Sequence, residues 1–125
     1  MFIIDKTKNT PFVKISVKDG IFEIIGDSNG FFVNDLYDTA LQELERQFSD
    51  FNDRLVCRFH YGIFNSDSLK KLIRILIFLN NQYKSGKDIT VKWVVNEDDI
   101  DNEITGNDLS EIFNIPFEVV KKEKE

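Results

Sequence analysis

The chain has 125 residues, 42% of them hydrophobic and 30% charged, a composition typical of one globular domain with a single core. Its formal net charge of −6 argues against nucleic acid and anionic membrane surfaces as main partners. The N-terminal residues lack a signal-peptide pattern, and no apolar run approaches the ~20 residues of a membrane span. We therefore expect a single cytoplasmic domain over residues 1–125. The one cysteine, Cys57, excludes an internal disulfide and fits a reducing compartment.

The N-terminal part predicts an antiparallel pair of strands after a short lead-in over residues 1–9. Apolar residues alternate with lysines over residues 12–18, which indicates a strand. Asp19-Gly20 is a typical two-residue hairpin turn because Gly accepts the positive φ that such turns need. A second strand is predicted over residues 21–25.

A helix and a buried strand are predicted next. The apolar residues between 36 and 48 recur at helical spacing, with Asn34 or Asp35 as the predicted cap and an end near residue 51. The following stretch, residues 54–61, is largely apolar and predicts a central strand covered on both faces.

The central helix should begin at the polar turn Asn65-Ser66-Asp67-Ser68, in which every side chain has an oxygen able to cap a helix. Apolar residues follow on nearly all sides, and Gly86 suits the end of the helix near residues 83–85. A strand over residues 89–96 completes a strand–helix–strand unit, for which a parallel, right-handed crossover is expected.

The C-terminal part predicts an acidic loop, a short helix in the second half of residues 97–111, an edge strand over residues 117–120 and a polar tail over residues 121–125. The resulting element order is ββαβαβαβ. It predicts an α/β fold with a mixed four- to five-stranded sheet and helices packed on it.

Signals for an enzyme or a metal site are few. His60 is the only histidine, and the glycines stand singly rather than in a phosphate-binding loop. The run Asp99-x-Asp101-x-Glu103 resembles the start of a calcium loop, but the required glycine and final glutamate are missing. A solvated acidic loop or a charged partner surface is the favoured interpretation, and no metal or cofactor is predicted.

The hydroxyls of Ser66 and Ser68 leave two interpretations open. Ser66 or Asp67 can simply cap the central helix, and the residues taken alone favour this. Alternatively, a serine here is a regulatory phosphorylation site, because the helix dipole and free N–H groups favour a phosphate. Lys70 and Lys71, with Arg74, form the only dense basic cluster that could contact an acidic partner.

Beyond these local patterns, the chain resembles the SiaC family of bacterial biofilm-regulation phosphoproteins, which has a STAS-like, anti-anti-sigma-factor-like fold. The resemblance extends from Thr10 to Val119 and depends on the order and spacing of several short segments. These are Thr10-Pro11, Gly26-Asp27-Ser28, Tyr61 to Leu69, Val91-x-Trp93, the acids Asp98, Asp99, Asp101 and Glu103, and Pro116-Phe117.

The resemblance implies specific roles for the central turn. The family pattern there is Asn-Thr-Ser-Ser with a phosphorylated threonine, so Ser66 is the implied phosphoacceptor and Ser68 the alternative. Asp67 departs from the pattern, as does the segment NGFFVN over residues 29–34, in which only Asn34 clearly matches. The implied partner-binding residues are Asn65, Ser66, Asp67, Ser68, Lys70 and Lys71.

The function implied by the resemblance is that of a non-catalytic switch. The unphosphorylated protein would bind an output partner such as a diguanylate cyclase, a serine/threonine kinase of anti-sigma type would release it, and a PP2C-like phosphatase would reverse this. Two alternatives remain: a STAS-like module that binds a small ligand or nucleotide at the same helix start, and an enzyme that uses the acidic run with a divalent metal.

Overall fold

The computed structural model describes residues 1–30 and 32–122. In the described residues, three helices pack on a six-stranded sheet whose strands follow the chain order β1-β2-β3-β4-β5-β6. The strands are β1 (Phe2–Ile4), β2 (Phe12–Ser16), β3 (Ile21–Ser28), β4 (Arg54–Phe64), β5 (Asp88–Asn96) and β6 (Phe117–Lys122). The helices are α1 (Val33–Gln47), α2 (Ser66–Lys84) and α3 (Ile100–Ile112). The mixed α/β class is confirmed, with more strands than the predicted four to five.

The additional strand is β1, which lies within the predicted lead-in over residues 1–9. Phe2 and Ile4 pair with β2 and pack their side chains against the core, which explains why this segment is extended. The antiparallel pairing of β2 with β3 is confirmed, but the turn between them is longer than two residues. A 3₁₀ turn over Val17–Asp19 precedes Gly20, because the fully buried Val17 side chain enters the core.

Helix α1 begins earlier than predicted, and its α-helical part ends at Gln47, where a 3₁₀ turn over Phe48–Asp50 continues to near the predicted end. It starts at Val33, and no side chain caps it, so Asn34 and Asp35 lie in its first turn rather than before it. It ends at Gln47, whose side chain accepts a hydrogen bond from the Val17 backbone N–H (2.9 Å) and donates to the Ile15 carbonyl (3.1 Å). The buried Gln47 amide thus joins the helix end to the β2–β3 turn.

Strands β3, β4, β5 and β6 run parallel, which confirms the parallel strand–helix–strand prediction for β4, α2 and β5. Strand β4 is longer than predicted and continues to Phe64. Helix α3 begins at Ile100, so much of the acidic run is helix rather than loop. Strand β6 includes Lys121 and Lys122 of the predicted polar tail, and residues 123–125 lie outside the described residues.

All three helices lie on one face of the sheet. Tyr61 of β4 bonds to α1, Trp93 of β5 bonds to α3, and the buried side of α2 belongs to the same core cluster. The alternate residues of β4, such as Arg58 and His60, lie on the opposite face and are partly exposed. The prediction that this strand is covered on both faces was therefore wrong. Within the described residues, no helix combines the length and apolar character needed to cross a bilayer.

The parallel strands place their carboxyl ends at a single edge of the sheet, and α2 and α3 begin there. Open α/β sheets bind ligands and partners preferentially at this edge. We call it the carboxyl edge. The polar turn at the start of the central helix lies on it.

Candidate functional site at the start of the central helix

Helix α2 is capped by Asn65, not by Ser66 or Asp67. The Asn65 side-chain oxygen accepts a hydrogen bond from the Ser68 backbone N–H at 2.9 Å. Ser66 and Asp67 form the first turn of the helix, and both are exposed. Asn65 provides the cap, so the Ser66 hydroxyl is not needed for it. Within the described residues, the Ser66 hydroxyl forms no hydrogen bond.

Ser68 lies in a different environment, since its side chain is 0% exposed. The Ser68 hydroxyl donates a hydrogen bond to the Ser28 carbonyl (2.7 Å) and accepts one from the Ser28 hydroxyl (2.7 Å). These two bonds fix the first turn of α2 to the end of β3. The structure thus shows that Ser66 is exposed and Ser68 is buried, a difference that the sequence alone does not reveal.

A chain of buried hydroxyls extends from this contact into the core. With its own proton committed to Ser68, Ser28 accepts from the Tyr37 hydroxyl (2.9 Å), which in turn accepts from Tyr61 (2.8 Å). Burial raises the pKa of Tyr37 to about 12 and the pKa of Tyr61 well above its usual value. Both phenols are therefore neutral donors at physiological pH. The hydroxyl chain connects α2, β3, α1 and β4.

The end of β4 is also held in place by side chains from β3 and α3. Asp27 accepts a hydrogen bond from the Ile63 backbone N–H at 2.8 Å. A Cβ atom on Gly62 would lie 2.2 Å from the same Asp27 carboxylate oxygen, so a larger residue would displace that carboxylate. Asn102 donates from its side-chain nitrogen to the carbonyls of Tyr61 (3.2 Å) and Gly62 (2.9 Å). The turn that presents Ser66 consequently follows a strand end that is held by side-chain hydrogen bonds.

Exposed apolar side chains occur at the same carboxyl edge. Phe32 before α1, Ile63 near the end of β4 and Ile100 at the start of α3 are 74%, 60% and 65% exposed. Large apolar side chains exposed at one edge of a domain are typical of an interaction surface. Sequence reasoning missed this set, because the three residues are far apart in the sequence and share this edge only when the strand ends align.

The predicted basic cluster is only partly available to a partner. Lys70 is exposed on α2. The Lys71 ammonium, in contrast, lies 2.9 Å from the Asp38 carboxylate of α1, an ion pair that joins the two helices. Of these two lysines, Lys70 is therefore the better candidate for contact with a partner.

An open cavity of about 400 Å³ lies beside the start of α2. Its wall is formed mainly by asparagines, and its described lining residues are Asn9, Asn29, Gly30, Val33, Asn34, Asn65 and Asp67. This lining contains no lysine or arginine. It offers amide donors and acceptors to a polar group rather than positive charge to an anion.

Part of the acidic run is used within the fold. The Asp99 carboxylate caps α3 by accepting from the Asn102 backbone N–H at 3.2 Å, and Glu103 forms an ion pair with Lys121 at 3.2 Å. In residues 1–30 and 32–122, no three or more His, Cys, Asp or Glu side chains are arranged to hold a metal ion. His60 contacts Asn96 through its Nε2 atom at 3.1 Å.

The chain matches the model of the SiaC family regulatory phosphoproteins over residues 4–122. It belongs to the SiaC family. Among curated proteins, no sequence is similar enough to match this SiaC-family chain.

Solved structures of Pseudomonas aeruginosa SiaC share the fold. A chain in the crystal structure of the diguanylate cyclase SiaD in complex with its activator SiaC superimposes with a TM-score of 0.90 and 20% identity, covering 98% of this chain and 100% of that one. A structure of SiaC alone gives a TM-score of 0.86 at 20% identity, with 97% and 98% covered. Apo-SiaC gives 0.84 at 20% identity, with 95% and 97% covered.

Proposed function

We propose that this SiaC-family chain is a non-catalytic regulatory protein that binds a signalling partner at the carboxyl edge and is switched by phosphorylation of Ser66. The observation that carries the proposal is the exposure of Ser66 at the first position of α2, with the cap supplied by Asn65. The description of the family as regulatory phosphoproteins supports it.

Ser66 is a better phosphoacceptor than Ser68 for a physical reason. A kinase must reach the hydroxyl oxygen, and Ser66 is exposed at the surface. Ser68, in contrast, is 0% exposed, and its hydroxyl both donates a hydrogen bond to Ser28 and accepts one from it. Phosphorylation of Ser68 would require the first turn of α2 to open and would leave a dianion inside the core. We therefore assign the switch to Ser66 and a structural role to Ser68.

A phosphate on Ser66 would alter the interaction surface through charge and solvation. It adds about −1.5 to −2 charges at pH 7, next to Asp67 and near the exposed apolar side chain of Ile63. The helix N-terminus stabilises the phosphate within the free protein. A partner that covers this surface must remove water from the dianion, which is costly unless the partner supplies cations. The expected effect of phosphorylation is release of the partner.

We propose the pathway by analogy with the family. The SiaC of Pseudomonas aeruginosa is the activator of the diguanylate cyclase SiaD, and we propose a signalling enzyme of this class as the output partner here. A serine/threonine kinase of anti-sigma type would add the phosphate, a PP2C-like phosphatase would remove it, and the exchange would take place in the cytoplasm. Asn65, Asp67 and Lys70 are the neighbouring residues that a partner would contact.

Intact-mass spectrometry after incubation with Mg-ATP and the serine/threonine kinase encoded nearest to the gene tests the phosphorylation step. We expect one added phosphate on the unmodified protein and on the matched control Ser68→Ala, and none on Ser66→Ala. Phosphate retained on Ser66→Ala would move the site elsewhere, and absence of phosphate from all three proteins would refute the switch.

Binding of the purified output partner tests the consequence. Ser66→Asp should fold normally and bind at least about tenfold more weakly, which corresponds to about 1.4 kcal/mol. Ser49→Asp is the matched control, because Ser49 is exposed in the 3₁₀ turn at the opposite edge of the sheet and the same charge is added. Equal affinity of the two variants would contradict the proposed surface.

The cavity beside α2 supports a second candidate function, in which the domain binds a small polar ligand or nucleotide without any phosphorylation switch. Its lining of asparagines favours a neutral, hydrogen-bonding group over a phosphate. Thermal unfolding with ATP, GTP and their nucleosides separates the two functions, since a ligand at 100 times its Kd stabilises by ~2.7 kcal/mol. Stabilisation that is lost in Asn34→Leu would favour this candidate.

A further inference from the structure

The sheet face opposite the helices carries a surface that the proposed function does not use. Four-stranded parallel sheets such as β3–β6 normally have both faces covered. Here the three helices lie on one side, and no helix of the described residues covers the other. We call this second surface the bare sheet face; it is formed by the alternate residues of β2–β6 that point away from the helices.

One row across the bare sheet face is mainly apolar. The strand registers align five neighbouring side chains: Phe12, Ile25, His60, Val94 and Val120. A second row contributes Ile21 and Val56, which are register partners. Val94 is buried yet does not belong to the core cluster under the helices, so the bare sheet face has a small apolar centre of its own.

The row between these two is charged on each of the strands β2–β6, and β1 adds the exposed Ile3 beside Lys14. The registers align Lys14, Glu23, Arg58, Lys92 and Glu118. Although neighbours in this row have mostly opposite charges, the ion pairs of the described residues include none of the five. Their charged ends are therefore available for pairing with a molecule that covers the face.

The order of charges in this row complements itself under a twofold rotation. When a second copy is placed face to face with its axis along β4, β2 lies opposite β6 and β3 opposite β5. Lys14 then faces Glu118 of the second copy, and Glu23 faces Lys92, each contact occurring twice. Arg58 meets its own copy at the axis, between Glu23 and Lys92 of the same sheet, so this central contact is the one unfavourable charge contact of the row. The apolar row meets the apolar row.

We propose that the bare sheet face is the interface of a homodimer. Five strands spaced by about 4.8 Å and five to seven residues of about 3.3 Å give a patch of about 24 by 17–23 Å. This is about 400–550 Å² per copy, or about 800–1,100 Å² in total, before the relief of the side chains is counted, which is the size of weak, transient interfaces rather than of stable ones. The dimer should accordingly dissociate in the micromolar range. Ser66 lies at the carboxyl edge, so both copies keep this site free for a partner.

Sedimentation velocity of the purified full-length chain tests the proposal. The mass should rise with concentration from 14.6 kDa toward twice that value. Lys14→Glu and Glu118→Lys should each weaken self-association by at least about tenfold, because each variant places like charges opposite each other twice in its homodimer. Glu111→Lys on the exposed side of α3 is the matched control and should associate like the unmodified protein.

Mixing the two variants gives the sharpest outcome. In a mixed dimer, one contact pairs the two substituted side chains, which have opposite charges, and the other contact keeps Lys14 opposite Glu118. An equimolar mixture should therefore regain the association that each variant lacks, and the double substitution Lys14→Glu with Glu118→Lys should do the same. Circular dichroism and thermal unfolding of each variant show that it is folded.

Three results would overturn the proposal. One is an unmodified protein that stays monomeric up to about 500 µM, well above a micromolar Kd. The others are a dimer unaffected by either charge reversal, and a mixture of the two variants that fails to associate.

Discussion

The direction of the buried hydroxyl chain predicts that two conservative substitutions differ in their effect on stability. Tyr61 donates to Tyr37, and Tyr37 donates to Ser28, whose own proton is committed to Ser68. In Tyr37→Phe the Tyr61 hydroxyl loses its acceptor inside the core, and a buried donor without a partner costs about 1–3 kcal/mol. In Tyr61→Phe no donor is left unpaired, because Tyr37 still donates to Ser28.

We expect Tyr37→Phe to lower the free energy of unfolding by about 2–3 kcal/mol and Tyr61→Phe by less than about 1 kcal/mol. The double variant should be more stable than Tyr37→Phe alone, by about 1 kcal/mol, because the unpaired donor is gone. Urea unfolding can be followed through the fluorescence of Trp93, the single and buried tryptophan. A Tyr61→Phe loss equal to or larger than the Tyr37→Phe loss would refute the assigned direction, and additive losses would refute the coupling.

Three further predictions concern pH, packing and the helix cap. Because burial raises the pKa of Tyr37 to about 12 and that of Tyr61 well above its usual value, both stay protonated when folded. Their contribution to the free energy of unfolding should be constant below pH ~10 and fall above it, by up to about 1.4 kcal/mol per pH unit for each tyrosine. Burial also raises the pKa of the Cys57 thiol, which adds to the loss from pH ~9, and a flat free energy of unfolding from pH ~9 to ~12 would contradict this. Gly106→Ala should lower the free energy of unfolding by about 1–3 kcal/mol and shift the fluorescence of Trp93, because the new Cβ would lie 2.3 Å from the Trp93 ring. A variant as stable as the unmodified protein would show that α3 moves away from Trp93 freely. Asn65→Ala should lower the free energy of unfolding by about 1 kcal/mol, measured by thermal unfolding, because the cap of α2 is lost. Asn65→Asp should change it little, since aspartate also caps helices, and equal losses in the two variants would exclude the cap as the cause.

The secondary structure could be predicted wherever a segment carries its own pattern. The β2–β3 pair, α2 and β5 were predicted near their observed bounds because alternation, capping residues and a terminal glycine lie within the segments themselves. The errors occurred where tertiary contacts decide. Strand β1 is too short for a clear alternation and is extended because Phe2 and Ile4 reach the core. Helix α1 begins at Val33 without a side-chain cap, so no capping residue in the sequence marks its start.

The candidate site was predicted in part. The polar turn at residues 65–68 could be identified from composition alone, since consecutive residues with side-chain oxygens mark a helix start. The sequence could not assign the cap to Asn65, because Ser66 and Asp67 have equivalent local chemistry. Nor could it separate an exposed Ser66 from a buried Ser68, because burial of Ser68 depends on Ser28, 40 positions away in the chain.

The sequence by itself determined a single acidic α/β domain, its main helices and strands, and the turn that presents Ser66, because each depends on local periodicity and short-range hydrogen bonding. Only the tertiary structure decided which serine is accessible, that all helices share one face of the sheet, and that charges from five strands align in one row. Those features depend on strand register and side-chain burial, and both are set by contacts between residues that are distant in sequence.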